Sequence, residues 1–193
     1  MKDGKVTTTF VDGDITGVSM NVGLDFVYER LFKAAEAELQ GVAPPLEASI
    51  RLIVFGCFWL EAVCNETVRD LLRATVRPDV GAEAIWEVVE RSKFSAKLSI
   101  VAALAKTPDH KQAERVAKEL DQVFGLRNRL AHFKDKETQV AGAIAHDEFE
   151  TVLRALPEPD LAVQLKPALM GVRAQAVANG IAWLKEVSLQ HFA

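Results

Sequence analysis

This sequence predicts an all-α fold: a helical bundle of about five to seven helices with a small β-hairpin at its N-terminus. Two observations carry the helical part. From Leu24 onward, apolar residues recur at steps of three and four, the spacing that keeps them on one side of a helix. Ala, Leu, Val and Glu are abundant while Tyr occurs once, a balance that suits a packed helical protein and not a disordered or fibrous one. A third observation predicts the hairpin: Val6–Val22 is rich in Thr and Val around the turn signal Asp12-Gly13-Asp14. No stretch biased toward Pro, Gly, Ser or charge divides the chain. The expectation is therefore one domain over residues 1–193, with 1–23 as a hairpin extension.

The elements follow in order. Val6–Val11 and Ile15–Val22 are the arms of the hairpin. Leu24–Gln40, with Phe26, Leu31, Phe32 and Ala35, is a helix ended by Gly41 and Pro44-Pro45. Leu46–Val76 is one long helix or two, apolar nearly all round in its first half, closing near Arg77-Pro78. Two shorter helices, Val80–Ser92 and Phe94–Ala105, come next. Thr107-Pro108-Asp109 then supplies start signals for a helix over His110–Ala131. Thr138–Ala145 is a small alternating stretch that could pair with the hairpin, and Asp147–Leu156 is a short helix stopped at Pro157. The last helix, Asp160–His191, shows a seam of Leu161, Leu165, Leu169, Val172, Ala176, Gly180, Trp183 and Val187. That seam is expected to pack on the bundle or on another subunit.

Several function classes are disfavoured. The longest apolar run, Leu52–Leu60, is far short of the ~18 residues a membrane span requires, so it reads as a core helix. Met1-Lys2-Asp3-Gly4-Lys5 leads into a polar stretch and not an apolar signal core, so a cytoplasmic location is expected. Cys57 and Cys64 lie seven residues apart on one helix, roughly 10 Å, beyond disulfide reach; they read as core thiols. A net charge of -4 argues against a surface built for double-helical DNA. No spacing among the four histidines and two cysteines resembles a metal site, and no glycine-rich phosphate loop, Ser/His/Asp arrangement or pair of catalytic carboxylates is evident. No cofactor is expected.

What remains is Phe124-Gly125-Leu126-Arg127-Asn128-Arg129-Leu130-Ala131-His132-Phe133. Val116, Leu120, Val123, Phe124 and Leu130 define an apolar stripe, and continuing its steps lands on Arg127. A buried, unpaired guanidinium is strongly disfavoured, so Arg127 should meet a carboxylate or line a polar cleft where phosphate could enter. Asn128 and His132 are four apart and share a face, so the amide could set the imidazole's tautomer. An Arg and a His five apart can also be no more than a helix-end ion pair or cap. His110 and His146 sit before helices as caps or surface residues, and His191 lies near the terminus.

Arg127-Asn128-Arg129-Leu130-Ala131-His132 resembles the R-N-x-x-x-H motif of the HEPN superfamily, small helical bundles found in toxin–antitoxin, phage-defence and RNA-processing systems. Ser92-Lys93-Phe94-Ser95-Ala96-Lys97-Leu98 also resembles a helix upstream of the motif in several branches, including the mannitol-repressor-like one. The specific match is six residues; beyond it, the likeness over about Leu24 to His191 is one of fold. The resemblance implies metal-independent RNA cleavage, in which a 2′-hydroxyl attacks its own phosphate and leaves a cyclic phosphate and a 5′-hydroxyl. His132 would be the general base or acid, being an imidazole beside cations and so held neutral, and Arg127 would hold the phosphate. It further implies a homodimer with two motifs facing a shared cleft, and a toxin or defence effector restrained by an antitoxin or other regulatory protein.

A supporting group is expected from a neighbouring helix. Glu61 and Asn65, four apart just after the most buried part of the second helix, are the candidates, Glu61 as partner of Arg127. Capping or solvent-facing roles suit them equally well. Arg129, Lys134 and Lys136 could attract RNA or simply be a solvated basic surface. Two function classes follow: a HEPN-type ribonuclease, or a non-catalytic HEPN-like regulator or scaffold, for which the acidic charge and the Ala/Val-rich final helix are also suited.

Overall fold

The computed structural model describes residues 5–11, 14–21, 24–42, 44–76, 81–105, 110–132 and 159–192. Its body is a bundle built around one helix. α2 (Leu46–Thr75) packs against α1 (Leu24–Leu39), α3 (Ala82–Glu90), α4 (Phe94–Leu104), α5 (His110–His132) and α7 (Pro167–Phe192). Of the two readings of Leu46–Val76, the single helix is therefore the observed one. Its apolar residues point all ways because neighbours surround it: Leu52, Ile53, Cys57, Leu60, Cys64, Val68 and Leu71 are fully buried. Each such leucine or isoleucine contributes about 1.5–3 kcal/mol by leaving water.

Close approach of α7 to α2 depends on two glycines. A Cβ on Gly180 would stand 2.9 Å from Leu60 Cδ2 and 3.0 Å from Leu120 Cδ1, so the helix crosses α2 and α5 where only hydrogen fits. Gly56 does the reciprocal service on α2, with Phe32 and Val177 side chains 3.1 Å from where its Cβ would be.

Two expectations about the fold are corrected. The bundle is all-helical, and the fold class does not include the N-terminal hairpin. Lys5–Val11 and Asp14–Asn21 run antiparallel to each other with a register shift at Thr9/Phe10. That ribbon contributes no strand to the body and has no substantial packing partner among the described helices. The sequence supplies a reason: Thr7-Thr8-Thr9 leaves neither face of the Lys5–Val11 strand apolar enough to demand a place in a core, and a lone hairpin is marginal in water.

The second correction is at the C-terminal end, where the single helix expected over Asp160–His191 is two. α6 (Pro159–Gln164) stops and α7 restarts at Pro167, whose ring and missing N–H cannot sit inside a helix. Arg173, 6% exposed, holds the break by donating to the Gln164 carbonyl and, at 2.6 Å, to Gln164 Oε1. The interruption changes the phase of the seam. Leu161, Leu165, Ala176, Gly180, Trp183 and Val187 are buried as expected, but Leu169 and Val172 face outward and Met170, Arg173, Ala174 and Val177 take the inner positions. The stretches Thr138–Ala145 and Asp147–Leu156 lie outside the described residues, as do Lys134, Lys136 and His146.

Candidate functional site

α5 is helical without interruption from His110 to His132, so the whole Arg127–His132 motif lies on one rigid element. Its buried face is Ala113, Val116, Leu120, Val123 and Leu126, with Phe124 and Leu130 half-buried beside it. The stripe thus steps by three from Val123 to Leu126, not by four to Arg127. Arg127 lies at the stripe's edge, its side chain 27% exposed, turned toward α2 of the same chain.

There it meets Glu61. Arg127 Nη2 lies 3.1 Å from Glu61 Oε1 and 3.2 Å from Oε2, the pairing expected from the sequence, and Nη1 donates to Asn128 Oδ1 at 3.0 Å. The guanidinium also lies 5.8 Å from the ring centroid of Phe58, one turn before Glu61 on α2. Phe58 in turn packs on Tyr28 of α1, the centroids 5.3 Å apart. One turn before the motif on α5, Phe124 stacks on Phe94 of α4 at 4.4 Å and fixes how α4 and α5 meet.

The remaining candidates separate. Asn65 does not support Arg127; its Oδ1 accepts a 2.8 Å hydrogen bond from Lys97 Nζ of α4. Asn128 is exposed and its oxygen accepts from Arg127. Arg129 is half-buried and not a freely solvated cation. The backbone of His132 ends α5, and its side chain lies outside the described residues.

Lys97 is the residue that sequence reasoning missed. It is 6% exposed, though its neighbours on α4 give it away: Leu98, Val101 and Ala102 are buried, and stepping back four from Val101 lands on Lys97. The same rule that singled out Arg127 would have found it. Two thiols register the field of this cluster. Burial pushes Cys57 up to about 12, against the nearby Arg127 cation and with the Glu61 carboxylate. Cys64 is likewise pushed up to about 12, by burial first, with Lys97 opposing and Glu61 adding. Neither thiol is a nucleophile at neutral pH.

Among the described residues, no three His, Cys, Asp or Glu side chains are grouped to hold a metal ion, and no helix is long and apolar enough to cross a membrane. No protein-family model, curated protein or solved structure matches this chain.

Proposed function

We propose that the chain is a metal-independent endoribonuclease of the HEPN type, acting as a homodimer in which two motifs share one cleft. The observation that carries this reading is the setting of Arg127: half-buried at a helix–helix junction, oriented by Glu61 and Asn128, on one unbroken helix with His132. A preoriented guanidinium in a partly desolvated place stabilises developing phosphorane charge better than a solvated, mobile one.

In the reaction, the substrate's 2′-oxygen forms a bond to the adjacent phosphorus as the bond from phosphorus to the 5′-oxygen breaks. The 2′-hydroxyl proton passes to a His132 imidazole acting as base, and the leaving 5′-oxygen is protonated by the second His132 of the dimer. Arg127 bears the charge on the non-bridging oxygens.

The test is incubation of the purified protein with single-stranded RNA in EDTA, beside Arg127→Ala and His132→Ala. Products ending in 2′,3′-cyclic phosphate and 5′-hydroxyl are expected from the parent, with a loss of about 10²–10⁴ in rate for each variant. Cleavage that survives both substitutions removes the motif from the chemistry. One observation favours the second reading, a non-catalytic regulator: Glu61 already satisfies Arg127 within the same chain, as a structural ion pair would. A parent protein that cuts no RNA gives the case to that reading.

A further inference from the structure

Lys97 is the only lysine among the described residues with a buried side chain. Its stem lies between α4 and α2, and its Nζ donates at 2.8 Å to Asn65 Oδ1, a side chain that is itself only half-buried. Among the described residues, no carboxylate comes within ion-pairing distance of it. An ammonium has three N–H donors, and a single neutral amide oxygen is a poor substitute for the water it has lost.

One turn back along α2, about 5.4 Å, Glu61 holds Arg127. Four residues apart on α2, Glu61 and Asn65 thus receive two cations, Arg127 from α5 and Lys97 from α4. Lys97 thereby stands near the guanidinium assigned to the reacting phosphate, with no carboxylate of its own among the described residues. The geometry points to Lys97 as the second cation of a phosphodiester-binding site: a single-stranded RNA backbone lies along α2 with one phosphate on Arg127 and its neighbour on Lys97. The identity of the ligand rests on the ribonuclease reading above. Asn65 holds the ammonium in place until the phosphate arrives, as Glu61 holds the guanidinium.

The probe is a fluorescein-labelled 2′-O-methyl oligouridylate, which has no 2′-hydroxyl and is not cut, with binding followed by anisotropy across a salt series. Lys97→Met is expected to weaken binding roughly fivefold at low salt, the size of one charge contact made with solvent nearby. It should also reduce the slope of log K against log salt by about 0.7, one phosphate contact on a single strand. Lys97→Arg should restore both. The methionine variant should melt no lower than the parent, because the cation removed has no carboxylate partner among the described residues. If it fails to fold, Lys97→Gln, which keeps a donor for Asn65, should show the same loss.

A folded neutral variant that binds with parental affinity and salt slope overturns the proposal, and so does a parent that does not bind the oligonucleotide. Binding that depends on Lys97 in a protein that cuts no RNA supports the subsite and removes the ribonuclease. Cleavage by a protein whose binding ignores Lys97 does the reverse.

Discussion

The Arg127–Glu61 pair can be weighed by a double-mutant cycle with Glu61→Gln and Arg127→Met. Both side chains are about one-third exposed, 27% and 33%, so the pair lies between two limits. A solvated ion pair contributes about 0.2–1 kcal/mol, whereas breaking a fully buried one costs about 3–5. Glu61→Gln keeps the shape and one acceptor but leaves the guanidinium without its counter-charge, a loss of about 1–1.5 kcal/mol. Arg127→Met preserves an apolar stem over Phe58 and strands the carboxylate, a loss of about 1–2 kcal/mol.

If the contact carries these costs, the double variant should lose less than their sum, with a coupling of about 1 kcal/mol. For a chain of this size each kcal/mol lowers Tm by about 2–4 °C, so the singles melt visibly below the parent while the double falls little further. Denaturant unfolding of the four proteins gives the cycle directly. A coupling below about 0.3 kcal/mol would show that the two groups do not hold one another, and the orienting role given to Glu61 would fail with it.

Two other perturbations probe the fold and the thiols. Gly180→Ala should destabilise by about 1–2 kcal/mol in urea unfolding, because its Cβ would stand 2.9 Å from a fully buried leucine and overpacking outweighs the gain in helix propensity. Gly125→Ala, with nothing within 4 Å of its Cβ, should stabilise by up to about 1 kcal/mol; equal effects at the two sites would refute the close crossing. Cys57 and Cys64 have folded-state pKa values raised from 9.0 to about 12, so below pH 9 both states keep their protons and stability is unaffected. Above it the unfolded chain releases protons that the folded chain retains, and stability falls as pH rises toward 12, by on the order of 1 kcal/mol per pH unit for each thiol. Urea midpoints at successive alkaline pH values should decline less steeply in Cys57→Ala and Cys64→Ala than in the parent; identical slopes would place the thiols in contact with water.

Periodicity made the helices of the body legible, since α1 to α5 depend on local spacing and on punctuation by Pro and Gly. The break at Pro167 was legible by the same rule, but the seam on either side of it reads smoothly in sequence, and only the change of phase at Leu169 and Val172 reveals the interruption. The hairpin shows the opposite failure. Strand propensity and a turn signal describe a ribbon without saying whether any core receives it.

At the site, Arg127 announced itself as a charge among apolar positions, and Glu61 as a carboxylate emerging from a buried run. Their meeting spans 66 residues of sequence, and no local rule assigns Asn65 to Lys97 instead of Arg127. That assignment depends on which helix lies over which turn of α2, a matter of packing that Gly56 and Gly180 help decide.

Because α2 touches five other helices and also presents Glu61 and Asn65, the element that holds both cations is also the structural centre. Amides in the buried middle of such an element are expected to exchange with solvent through global opening, which would give its polar groups the lifetime of the native state. Local melting of α2 is therefore no route by which Glu61 and Asn65 could let go of their cations.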